Sequence, residues 1–126
     1  MTPNALWMSS ILKSVENGPS KIELDEAPVL DQWSNVSFPD EDVMRLSGIV
    51  VGHPTICDRT LTTSPLFAVD LGAGLARTRS RWYRLTSNFV PANEDEKEAE
   101  LDALVAALNV LRTSLRIQLN DQMEVE

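Results

Sequence analysis

Residues 43–86, VMRLSGIVVGHPTICDRTLTTSPLFAVDLGAGLARTRSRWYRLT, constrain the fold more than any other stretch. They hold the β-branched runs, four of the five glycines and six of the eight arginines. Val43, Ile49, Val50 and Val51 have a β-forming composition, with Gly48 and Gly52 placed for a bulge or a close backbone approach. Gly52-His53-Pro54 closes that first strand. A second strand is expected over Leu61–Asp70, where Pro65 marks an edge or a bulge. Leu71-Gly72-Ala73-Gly74 supplies the residues of a hairpin connection, and Leu75–Thr86 follows as a third strand. An antiparallel meander is the economical topology.

Alternation along that third strand has a chemical consequence. Arg77, Arg79, Arg81 and Tyr83 are expected on one face and Ala76, Thr78, Ser80 and Trp82 on the other, with Arg84 near the strand end. Three guanidiniums in a row repel one another unless anions, acidic side chains or stacking partners lie opposite. These five residues, Arg77, Arg79, Arg81, Tyr83 and Arg84, form the candidate binding surface.

Helical patterns flank the sheet. Thr2-Pro3 reads as an N-cap with proline in the first turn, Leu6, Met8, Ile11, Leu12 and Val15 recur at helical spacing, and Asn17-Gly18-Pro19 ends the run. Trp7 lies at the edge of that stripe and is expected to pack against the core. From Ser20 a helical turn leads into an extended connection anchored by Leu30 and Trp33, with Phe38-Pro39-Asp40 as a turn into the sheet. Near the C-terminus, Asn93 and Glu96 have capping-box spacing. Leu101, Leu104, Leu108, Leu111 and Leu115 then step by three and four residues, predicting a helix over 94–120. This leucine face either docks onto the sheet or forms a homodimer seam; two heptads are short for a coiled coil.

Charge is unevenly distributed within a net −8. Residues 1–42 carry two lysines against eight acids, residues 43–90 six arginines against two acids, and residues 91–126 three bases against nine acids. The acidic arms either neutralise the basic middle or leave its arginine face for a polyanion or acidic partner. A sequence pI near 4.6 disfavours general nucleic-acid affinity. No apolar run reaches membrane-span length, no secretory signal is read at the N-terminus, and the single Cys57 fits a reducing cytoplasm.

Catalytic and ligand motifs are weak. His53, Cys57 and Asp58 suggest a nucleophile with its base or a partial metal site, but there is no second histidine or cysteine. His53 is better read as fixing its turn through a backbone hydrogen bond. Thr62, Thr63 and Ser64 suit turn and edge hydrogen bonds. The Gly72–Gly74 pair lacks the helix that a phosphate loop requires. Neither a cofactor nor a metal is expected.

The segments APVLDQW (27–33), SGIVVGHP (47–54), TTSPLFAVD (62–70) and ARTRSRWYRL (76–85), in that order, resemble a family of small alphaproteobacterial proteins of uncharacterised function. The likeness spans residues 18–86 and leaves the C-terminal helix as an addition. It implies a bacterial intracellular origin and assigns no activity. In place of the Asp-Gly turn of that pattern, Asp58 is followed by Arg59.

The expectation is one α+β domain over 1–126: a small three-stranded antiparallel sheet flanked by an N-terminal helix and a long C-terminal amphipathic helix. The functional expectation is a non-enzymatic macromolecule-binding or regulatory protein, with a protein as the favoured partner, acting through segregated basic (Arg-rich strand) and acidic (C-terminal helix) surfaces. The alternatives are a nucleic-acid binder using the Arg/Tyr face, or an acidic protein that imitates nucleic acid toward a basic partner. A hydrolase or transferase built on Cys57 and His53 ranks last.

Overall fold

The computed structural model describes residues 3–37, 43–86, 88–91 and 94–124. The proposed caps at Thr2 and Asn93 and the Phe38-Pro39-Asp40 turn lie outside them. In chain order the elements are α1 (Pro3–Asn17), α2 (Lys21–Glu26), β1 (Val29–Ser37), β2 (Met44–Val51), β3 (Arg59–Thr62), β4 (Leu66–Asp70), β5 (Leu75–Thr78), β6 (Trp82–Leu85), a 3-10 turn (Glu94–Glu96) and α3 (Lys97–Glu124). The class is α+β, with a helix at each end as the spacing of apolar residues implies.

The sheet has six strands, not three, in the order β3-β2-β1-β6-β5-β4. The segment read as a connection, residues 29–37, is its central strand. β1 pairs antiparallel with β2 and parallel with β6. A bulge hides it from a period-2 reading: the register shifts between Asp31 and Ser34, and Gln32 takes a φ of 49°. The buried residues Leu30 and Trp33 therefore stand three positions apart instead of two. Gly48 faces this bulge. A Cβ there would lie 2.7 Å from the Asp31 carbonyl oxygen, so the close approach requires glycine.

The strand expected over 75–86 is a hairpin. Thr78 N–H donates to Arg81 O at 2.9 Å, which pairs β5 with β6 through a two-residue Arg79-Ser80 loop. Neither loop residue takes a positive φ, and neither is the Asn-Gly or Asp-Gly that marks a tight turn in sequence. The hairpin expected at Leu71–Gly74 is present between β4 and β5, with Gly74 at φ 67°.

The run expected as one strand over 61–70 divides at Pro65 and changes partner, pairing with β2 before the break and with β5 after it. β3 and β4 occupy opposite edges of the strand order, yet only Thr63-Ser64-Pro65 joins them. That link reaches about 14 Å, whereas a flat six-stranded sheet would hold its edges about 24 Å apart. The sheet therefore curls on itself, and β2 touches β4. Thr63, buried at the corner, accepts from Leu46 N–H through Oγ1 and donates its own N–H to Leu46 O. Ser64 Oγ and Ser80 Oγ, 2.7 Å apart, tie the corner to the β5–β6 loop.

The inside of the curl collects Leu30, Leu46, Val50, Leu66, Ala76 and Tyr83, closed by Leu104 and Leu108 of α3. A second cluster joins Met8, Ile11 and Leu12 of α1 to Phe67, Leu115 and Leu119. Trp33 completes the first cluster. Its ring lies 4.8 Å from that of Phe89, and its Nε1–H donates to Thr86 O at 2.9 Å.

Candidate functional site

The arginines of residues 77–84 do not form one face. The Arg79-Ser80 reversal breaks the alternation, so Ala76 opposes Tyr83 while Arg77 opposes Trp82. Tyr83 points into the core at 3% exposure and offers no ring face to a ligand. Burial pushes its phenol pKa up, partly offset by Arg81. Trp82 points outward from the curl but is covered by α1, its Nε1–H donating to Ser14 Oγ.

Each arginine has a different environment. Arg79 at the loop tip lies over the Trp7 ring, 4.7 Å from its centroid. Trp7 in turn meets Phe67 edge-on, centroids 5.8 Å apart, which makes it the packing residue its stripe position implies. Arg84 donates from Nε to Ala27 O at 3.2 Å and from Nη2 to Asp25 O at 3.5 Å, clamping the end of α2. Arg81 is half-buried and lines a cleft with Arg77.

Arg77 is the exception. Its Nε is sealed from solvent and has no hydrogen-bond partner. Burial pushes its pKa down; Glu23 opposes that shift and Arg81 adds to it. The acidic arm thus folds back over the basic segment. Glu23 belongs to the capping box of α2, where Ser20 Oγ accepts from Glu23 N–H at 3.1 Å and Glu23 Oε1 accepts from Ser20 N–H at 3.0 Å.

At the same end of the sheet, His53 Nδ1 accepts from the N–H groups of Thr55 at 3.1 Å and Ile56 at 3.2 Å, fixing the loop after β2. Asp58 Oδ1 accepts from Gly52 N–H at 3.2 Å, so the aspartate also serves the loop. Cys57 is exposed. Among the described residues no group of three or more His, Cys, Asp or Glu side chains is placed to hold a metal.

The leucine face of α3 lies against the rest of the chain. Leu104 and Leu108 are buried in the first cluster, with Leu101 and Leu111 packed on it, and Leu115 is in the second. Arg112 donates to Phe67 O and Asn109 Oδ1, and Arg116 pairs with Glu16 at 2.7 Å, tying α3 to β4 and α1.

A family model described as a family of unknown function, DUF6634, matches residues 4–124. The chain belongs to this family. No curated protein and no solved structure matches it. The DUF6634 match takes in α3, so this helix is part of the family unit and not an addition to a core of residues 18–86. Among the described residues of this DUF6634 protein, no helix is long and apolar enough to cross a membrane.

The sequence reading missed the outward side of α3. At 100° per residue, Ala99, Ala103, Ala106, Ala107, Val110, Ser114 and Ile117 fall within about 60° of the Val110 direction. All seven are exposed, Val110 at 67% and Ile117 at 57%. No charged residue interrupts this side over about 27 Å of helix. The acids of α3 fall toward its two ends in sequence, Glu98, Glu100 and Asp102 in the first turns and Asp121 and Glu124 after Ile117. Ala103 and Ala107 also form one wall of a cleft of about 650 Å³, completed by Val36, Met44, Val90 and Pro91. The signal was in the sequence as a second three- and four-residue spacing, which the leucine ladder overshadowed.

Proposed function

We propose that this DUF6634 protein is a non-enzymatic binding protein that engages a protein partner through the outward face of α3. One observation carries the reading: a helix whose leucine side is already buried keeps an uncharged, partly apolar strip toward solvent. The water-facing side of a helix on a globular protein ordinarily carries charged residues, and contiguous exposed apolar surface marks interaction sites. Alanines along the strip let a partner approach closely, while Val110 and Ile117 supply apolar anchors. Acids lie toward both ends of the strip in sequence, Glu100 and Asp102 at one end and Asp121 and Glu124 at the other, and favour a partner with basic groups flanking its apolar contact.

The test is quantitative affinity capture with wild type and the V110E/I117E double variant, combined with a photo-crosslinker at Ser114. A specific protein should be retained by wild type, crosslink through α3, and be depleted at least about tenfold on the double variant. The reading fails if every captured protein binds both forms equally, or if crosslinks map away from α3.

A further inference from the structure

Arg77 occupies the wall between two openings beside α2. One, about 120 Å³, is lined by Glu23, Glu26, Arg77, Ser80, Arg81 and Trp82. The other, about 430 Å³, has Arg77 and Glu23 again, with Ser10, Ser14, Asn17 and Ser20. A guanidinium drawn out of water needs acceptors to offset its lost hydration. Arg77 Nε has none, and no ion pair or hydrogen bond from its guanidinium is formed within the described residues. Glu23 is close enough to favour the charge, but its Oε1 is held by the cap of α2. Two cations and two carboxylates thus line one small cleft without closing on each other.

That pairing selects a ligand. A bare phosphate would meet Glu23 and Glu26 as well as the arginines, and a simple amine would meet Arg77 and Arg81. A zwitterion satisfies both signs. Space of about 120 Å³ is on the order of four water volumes, enough for a carboxylate and an ammonium on one carbon. The hydroxyl-lined second opening suits a short polar side chain. We propose that this cleft binds a small polar α-amino acid, its carboxylate held by Arg77 and Arg81 and its ammonium by Glu23 and Glu26. The site is separate from the outward face of α3 and does not depend on that face's role.

The test is an NMR titration of the full chain with L-serine, following the Trp82 indole N–H and the Arg77 Nε–H, with acetate, methylammonium and inorganic phosphate as single-charge-type probes. L-Serine should saturate with a Kd on the order of 1 mM, as expected for so few heavy atoms. Each of the other probes should bind at least about tenfold more weakly. Because R77A removes a half-buried side chain, the more peripheral variants R81A and E26Q carry the mutational test; each should weaken L-serine about tenfold with the spectrum otherwise folded. The proposal is overturned if L-serine does not saturate by about ten times that concentration. It is equally overturned if acetate or phosphate binds as tightly, or if both folded variants keep the wild-type Kd.

Discussion

At the scale of single residues, backbone demands decide several identities. Gly48 lies under the β1 bulge, where an added Cβ would meet Asp31 O at 2.7 Å and Leu30 Cγ at 3.1 Å. One contact is backbone, which side-chain rotation cannot relieve. Gly48→Ala should cost about 1–3 kcal/mol, read from the urea midpoint at unchanged m-value. His53 gives a pH signature. Its Nδ1 accepts two backbone N–H groups, a role only the unprotonated nitrogen fills. Desolvation first, then Arg81, holds its pKa below the ordinary 6.5. A histidine depressed in the fold contributes stability above its unfolded pKa. That contribution is lost as pH falls from 6.5 toward the lower folded value, because the unfolded chain takes the proton first. An NMR titration should place the imidazole midpoint below 6.5. His53→Gln should also flatten the decline in stability between about pH 7 and pH 5.

At the scale of elements, α3 has two sides with different consequences. Leu108 is 1% exposed among core side chains and Val110 is 67% exposed. Leu108→Ala should cost about 2–5 kcal/mol through cavity formation. Val110→Glu should change stability by no more than about 0.5 kcal/mol. Parallel denaturant unfolding checks both, and a comparable loss for Val110→Glu would place it in packing. The flanking helices were legible because apolar spacing acts over a few residues, as in Met8, Ile11 and Leu12 of α1 and Leu104, Leu108 and Leu115 of α3. The Ser20–Glu23 capping box of α2 adds a local signal that the sequence reading did not use. β1 was not, because the Gln32 bulge turns its buried positions three apart. The Arg79-Ser80 hairpin was not legible either. Its turn is set by Thr78, whose Oγ1 donates to Arg81 O at 3.2 Å and accepts from Arg81 N–H at 3.3 Å, instead of by a glycine. The candidate arginine face dissolved with that turn, whereas the leucine ladder kept its helical register and found its counterpart in the sheet.

At the scale of the whole molecule, the chain passes from one edge of its curled sheet to the other at the Thr63–Pro65 corner, with α1 packed near β4 and α2 near β6. Strand β1 sits between two partners, while β3 is a short, exposed edge. Hydrogen exchange should therefore be slowest in β1 and its neighbours β2 and β6, and fastest in β3. Uniform protection across the sheet would contradict this order. The charge layout is resolved at the same scale. Residues 1–42 bring Glu23 and Glu26 to Arg77 and Arg81, so the acidic arm and the basic middle meet at a cleft that neither segment contains alone. The amino-acid sequence by itself determined the α+β class, both flanking helices, the Leu71–Gly74 hairpin and the role of the His53 loop, because each depends on local periodicity or turn chemistry. Tertiary structure alone decided the strand order, the change of partner at Pro65, the fate of each arginine and which side of α3 meets water. Those outcomes depend on burial and on pairing between residues far apart in the chain, where loop closure, desolvation and packing are settled together.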